Sequence, residues 1–484
     1  MEIPGTINPQ DVEDILPLTP MQESMLFQYL KEPDSKLYFE QNGYELTGTI
    51  RTDFIQEAWN AVANRNEVLR TVFRWMKLKK PVQVILKNPR VSVKSVDLSQ
   101  LPHDAREKQL DTIKEHDLAG KIDLRVEPLR VTLCKMSENR YEMIVTNHHI
   151  LFDGWSNVIL LKEFLEAYHC LGGSAAPDKP VKTGYREYIK GLQKQDKGKQ
   201  ENYWRHLLEG ASGKKSSLPH QNTGKGGSRE KYCQYPLDND LTGRIRDFSQ
   251  RKGITPAVLY YSAWAILIYK YTQVEDVLFG ITVSGRKSLG KGIQNMVGLF
   301  INTLPLRINL RPREHAGDLL ARVNALLLEM EEFESTPLLD ILSYCQKDPK
   351  EALFDSVVVI QNYPVDKLLY QRNHLLSIGL TTRFYLTGLG ITLGIRTFDG
   401  IILEFAYNTA LYRERTIKNL SKQVSSILGQ LVGQTGTAAA GKKGLKIKDI
   451  DVLDQTEKEK TVLNFQENRK RLEEIDGVDF DELL

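Results

Sequence analysis

The 484-residue sequence predicts an α/β fold in two halves of similar size, divided near residue 180. Strand-type and helix-type segments alternate through both halves, the pattern of sheets covered by helices. The hydrophobic fraction of 41% and charged fraction of 26% are those of an ordinary globular chain with ample core. No short period repeats, so solenoids and propellers are excluded.

In the first half, Tyr141 to Thr146 (YEMIVT) is a β-rich run that ends in Asn147-His148-His149. Val158, Leu161, Leu165 and Tyr168 then recur at helical spacing and predict an amphipathic helix from about Ser156 to Tyr168. Gly172 to Lys182 reads as a loop, and Ala211 to Lys231, rich in Gly, Ser and Lys, as a longer connection. A helical piece between them carries Tyr185, Tyr188 and the Tyr203-Trp204 pair. In the second half, strands are expected at Val277–Ser284, Leu304–Leu310, Phe354–Gln361 and Gly400–Tyr407, and helices at Pro256–Tyr271 and Gly317–Phe333. A polar stretch, Gly433 to Gly444, precedes a charged tail.

Composition excludes several functions. The formal charge of +3, spread over 65 basic and 62 acidic residues, offers no footprint for nucleic acid or an anionic membrane. The N-terminus is polar and has no apolar segment of the signal-peptide kind. The longest apolar stretch, Ala257 to Tyr271, is too short to span a bilayer. Four scattered cysteines without CxxC spacing predict reduced thiols and a cytoplasmic protein.

The sharpest chemical signal is His148-His149-Ile150-Leu151-Phe152-Asp153-Gly154, an HHxxxDG pattern between a strand and a helix. Chance gives roughly one such match per thousand chains of this length. Neighbouring strand residues face opposite ways, so one imidazole is expected to pack and the other, His149, to meet substrate. Metal binding fits poorly, because HExxH spacing is absent and no cysteine is near. Asp153 is expected as a buried carboxylate paired with an arginine, since an unpaired buried charge is too costly. Gly154 is expected to permit a tight turn into the helix.

HHILFDGWS resembles the core motif of condensation domains of nonribosomal peptide synthetases, a chloramphenicol acetyltransferase-like superfamily. Other motifs of that family occur in order. LTPMQESMLF (18–27) is similar to the first, with Ser24 for the usual Gly, and RNEVLRTVF (65–73) to RHxxLRTxF, with Asn66 for His. Tyr185–Tyr188 with Tyr203-Trp204, Ser284-Gly285-Arg286, the run Val297–Arg307, and FDS…NYP (354–364) resemble later motifs; around Pro337-Leu338 the likeness is poorer. The resemblance covers roughly residues 14 to 450.

The resemblance implies a V-shaped pseudo-dimer of two acetyltransferase-like subdomains, residues 17–180 and 181–445, with a tunnel between them. Residues 1–16 would be a docking lead and 446–484 a linker toward an adenylation domain. It implies amide-bond formation between a donor acyl or peptidyl thioester and an acceptor aminoacyl thioester, both on phosphopantetheine arms of carrier proteins, with no cofactor of its own. The expected site is His149, His148, Asp153 and Gly154, with Arg286 as first and Arg70 as second candidate partner of Asp153, and with Met21, Gln22, Trp155, Gly298, Asn302 and Tyr363 along the tunnel. Expected partners are donor and acceptor carriers and an adjacent adenylation domain or upstream synthetase, with the chain itself a monomer. LTPMQESMLF resembles the first motif of domains that follow epimerisation modules, which implies a D-configured donor and an L-acceptor. Its position 17 residues after Met1 leaves no room for an upstream carrier, which implies delivery in trans. An epimerisation domain, whose motif resembles HHxxxDxxSW, and a heterocyclisation domain, with DxxxxD, fit less well. A silent recruitment platform of the same fold and a free-standing acyltransferase are the remaining alternatives.

Overall fold

The computed structural model describes residues 7–87, 91–173, 182–211, 218, 230–286, 292–347, 353–362, 376–385, 388–397, 400–433 and 444–452. The expected loop 172–182, the connection 211–231, the polar stretch 433–444 and the charged tail fall mostly outside them.

The fold is α/β with two main sheets. The first has five strands in the order Leu376–Tyr385, Phe39–Gly48, Arg140–His148, Leu129–Ser137 and Val93–Asp97. All neighbours are antiparallel except the last pair. Alternation along Arg140–His148 explains both faces. Tyr141, Met143 and Val145 point into a core shared with the helices Thr52–Arg65 and Gly154–Leu171, whereas Ile144 packs with Leu110 of the helix His103–Ala119. The second sheet has six strands in the order Asn302–Asn309, Asp276–Val283, Ser356–Gln361, Ile391–Arg396, Ile402–Asn408 and Glu230–Pro236. Its core holds the helix Pro256–Thr272, buried continuously from Val258 to Tyr269. An apolar all-round helix belongs in a core of this kind, and no helix among the described residues is long and apolar enough to cross a membrane. A small sheet, Val12–Pro17, Val82–Leu86 and Thr71–Arg74, lies at the start of the chain.

The expected elements occur with shifts of a few residues: the helix after the histidines spans Gly154–Leu171, and the four strands of the second half are present. The expected boundaries are less clean in space. The strand Leu376–Tyr385 joins the edge of the first sheet beside Phe39–Gly48, and Val297 and Leu299 belong to the first core. Residues 12–16 are not a free lead, because they pair with Gln83–Leu86 and bury Leu16. At the other end, Ile447 and Ile450 sit in the second core, so residues 446–450 belong to that half.

Candidate active site

The strand Arg140–His148 ends at the site, and a short turn leads to Asp153, the N-cap of the next helix. His148 is fully buried against the rings of Tyr29, Tyr38 and Phe39. Its Nδ1 accepts from the Ile150 amide at 3.1 Å. Burial, then the neighbouring His149, lowers its pKa to about 3. A neutral imidazole held this way supports the turn.

His149 turns to the other side and lines a cavity of about 290 Å³. Its amide donates to the Tyr38 carbonyl at 2.7 Å, and its Nδ1 lies 2.9 Å from the Phe152 carbonyl oxygen. A carbonyl can only accept, so Nδ1 is the donor in this contact and Nε2 is the nitrogen it leaves over. Nε2 lies 3.7 Å from Glu40 Oε1. The cavity draws walls from both halves: Met21, Glu40, His149 and Gly154 from one, Asn302 and Gln361 from the other.

Asp153 is completely buried. Its Oδ1 accepts from Ser156 N at 2.9 Å, which caps the helix, and from Arg286 Nη2 at 3.1 Å. Its Oδ2 accepts from Phe300 N at 3.1 Å, while its own amide donates to Gly298 O at 3.1 Å. Arg286 spends its other terminal nitrogen on the carbonyls of Ile293 and Met296, each at 2.8 Å. Ser156 Oγ receives Arg286 Nη2 at 2.7 Å and Gly298 N at 3.0 Å, and donates to Gly298 O at 2.8 Å. This network ties the turn that presents His149 to the loop before the strand Asn302–Asn309 of the other half.

Several expected residues sit elsewhere. Arg70 does not reach Asp153: its guanidinium pairs with Glu13 and the carbonyl of Leu86 in the small sheet. Gln22 is no tunnel residue, because Thr19 and Gln22 form a capping box and Gln22 Nε2 donates to Ile150 O at 3.2 Å. Gly298 is taken up by Asp153 and Ser156, and a Cβ there would fall 2.4 Å from Tyr185. Trp155 donates to Gln294 O at 3.1 Å and stands outside the cavity wall. Gly154 is absent from the glycines with positive φ, so the turn does not need it. It opens the helix and lines the cavity. Met21 and Asn302 do line the cavity, the latter held by Nδ2 to the carbonyls of Glu334 and Thr336. Tyr363 lies outside the described residues. Asn66, where the motif has His, bridges Glu163 at 2.7 Å and Lys182 at 2.6 Å, so it is structural. Glu40 and Gln361 were missed. For Glu40 the signal was Glu40-Gln41-Asn42, three buried polar residues in a central strand, where apolar side chains are the rule. Among the described residues no group of three or more His, Cys, Asp or Glu could hold a metal ion.

Residues 12–461 match the family model described as condensation domain. Surfactin synthase subunit 3 of Bacillus subtilis (strain 168) is 31% identical over 424 residues, which cover 87% of this chain and 33% of that protein. The chain thus spans a third or less of the length of such relatives. Among solved structures, a four-domain nonribosomal peptide synthetase bound to AMP and glycine superposes with a TM-score of 0.76 at 16% identity, covering 94% of this chain and 35% of that one. The first condensation domain of the calcium-dependent antibiotic synthetase, complexed with a substrate analogue, gives 0.71 at 18%, covering 91% and 100%.

Proposed function

We propose, from the premise that this chain belongs to the condensation-domain family, that it joins a donor acyl or peptidyl thioester to an acceptor aminoacyl thioester as an amide. Both substrates arrive on phosphopantetheine arms of carrier proteins, and the domain works as a monomer in the cytoplasm beside an adenylation domain or an upstream synthetase. The observation that carries this reading is His149, anchored through Nδ1 to the Phe152 carbonyl and lining a cavity walled by both halves. A neutral imidazole there can orient the attacking amine and take its proton as the C–N bond forms. Asp153 and Arg286 hold the turn without touching the reacting atoms. The cavity wall, with Met21, Met25, Ile301, Leu338 and Val357 among its side chains, also limits hydrolysis of the thioester.

The donor is D-configured at its reacting residue, and the acceptor is L. Support comes from the motif LTPMQESMLF, because Met21, Ser24 and Met25 of its helix line the cavity. Side chains on that wall meet the donor near its Cα, where a misplacement of about 1 Å can cost 10²-fold. Loaded donor and acceptor carriers, with products identified by intact-protein mass spectrometry, test the activity. Competition between D- and L-terminated donors on one carrier tests the stereochemistry: the D-product should dominate, and equal use of both would overturn that part.

A further inference from the structure

Four described residues other than glycine have a positive φ: Tyr38, Lys77, Gln273 and Gln346. The last three are exposed, and Gln273 closes a helix, where a left-handed residue is routine. Tyr38 is different, because it lines the cavity together with His149. It is the third residue of a turn closed by Phe39 N donating to Lys36 O at 3.1 Å, where a positive φ calls for Gly or Asn. At φ +64° a bulky aromatic side chain strains its own backbone. Such a conformation persists only where the surroundings impose it. Here they do: Leu37 N donates to Ser35 Oγ at 3.1 Å just before the strained residue, and the Tyr38 ring packs on His148 with centroids 6.2 Å apart.

The strained residue coincides with the site. Phe39 pairs with His148, so Tyr38 falls opposite His149 one step further along the ladder. Its carbonyl accepts from His149 N at 2.7 Å, while His149 Nδ1 is tied to the Phe152 carbonyl at 2.9 Å. One bond fixes the backbone of His149 and the other its ring. A return of Tyr38 to the extended region would rotate its peptide unit and carry the carbonyl off the His149 amide. We infer that Tyr38 is a positioning residue for His149: its left-handed backbone aims the carbonyl that seats the histidine, and its ring holds that backbone in place. This rests on the reading of His149 above and adds the residue that orients it.

The test compares Tyr38→Asn with Tyr38→Val in the full chain. Both remove the ring, but asparagine tolerates a left-handed backbone and a β-branched residue resists it. The first readout is nitrogen NMR of isotopically labelled histidine, with His149 assigned by the signal lost in His149→Ala. The His149 ring signals should agree between wild type and Tyr38→Asn, and should shift or split in Tyr38→Val. The second readout is condensation at varied acceptor-carrier concentration. Both variants should raise KM, having lost part of the cavity wall, and only Tyr38→Val should also lower kcat, by about 10–10²-fold. Thermal unfolding reports the folding of each. If Tyr38→Val does not fold, Tyr38→Asn decides alone: displaced His149 signals overturn the inference, and preserved ones sustain it. Identical His149 signals in a folded Tyr38→Val, or equal kcat in both variants, would also overturn it while leaving amide formation intact. The expected NMR pattern in a wild type that forms no amide would sustain the positioning role and overturn the proposed activity.

Discussion

His148 enters the folded protein as a neutral group, its pKa lowered to about 3 by burial and then by His149. The unfolded chain takes up a proton near pH 6.5, but the folded chain does not until about pH 3. Stability is therefore full above pH 6.5 and falls as pH drops from 6.5 toward 3, by at most about 1.4 kcal/mol per unit. His169, also lowered by burial, acts in the same direction. Denaturant melts at pH 7 and 5 should show the loss, and His148→Gln, which keeps an acceptor for Ile150 N, should flatten it; an unchanged slope would contradict this. Asp153 and Arg286 give a second test. Each alanine variant strands the other buried charge and should cost about 3–5 kcal/mol, with the double variant well short of the sum. Additive losses would show that they are not coupled. The seven-residue motif placed His149 and Asp153 from sequence, because its members are local to one strand and one helix start. Arg286, 133 residues away, came only through the resemblance. Glu40 sits in a polar run, Glu40-Gln41-Asn42, but its meaning depends on which strand lies beside the Arg140–His148 strand, and pairing partners cannot be read from local pattern.

At the scale of elements, the loop before Asn302–Asn309 is the joint between the halves. Gly285 adopts φ +61°, and a Cβ on it would meet the Phe300 carbonyl oxygen at 2.1 Å. Gly285→Ala should therefore both strain the backbone and push Phe300 N away from Asp153 Oδ2. A melting temperature lowered by several degrees is expected, and an unchanged one would refute the assignment of this loop as the joint. The helix starting at Pro20 carries a lesson about motifs. Thr19-Pro20-Met21-Gln22 contains the S/T-x-x-E/Q capping signature, so half of that motif reports helix initiation rather than substrate contact. Periodicity located the strands and the buried helix Pro256–Thr272, since those signals lie within one segment. The insertion of Leu376–Tyr385 into the first sheet had no such signal, because it is set by pairing with residues more than 300 positions away.

For the whole molecule, the proposed catalytic centre and the cohesion between the halves meet in one place. The cavity exists between two halves, and the Asp153–Arg286–Ser156 network that steadies His149 also binds the second half to the first. The network explains how a single histidine at the end of one strand can be held against a wall to which the other half contributes. The central claim is that His149 drives amide formation between two carrier-bound thioesters. Single-turnover condensation of loaded donor and acceptor carriers, compared between wild type and a folded His149→Ala variant, tests it most directly. The account predicts amide product from wild type and a rate lower by about 10²–10⁴ in the variant; a variant that condenses at the wild-type rate would contradict it.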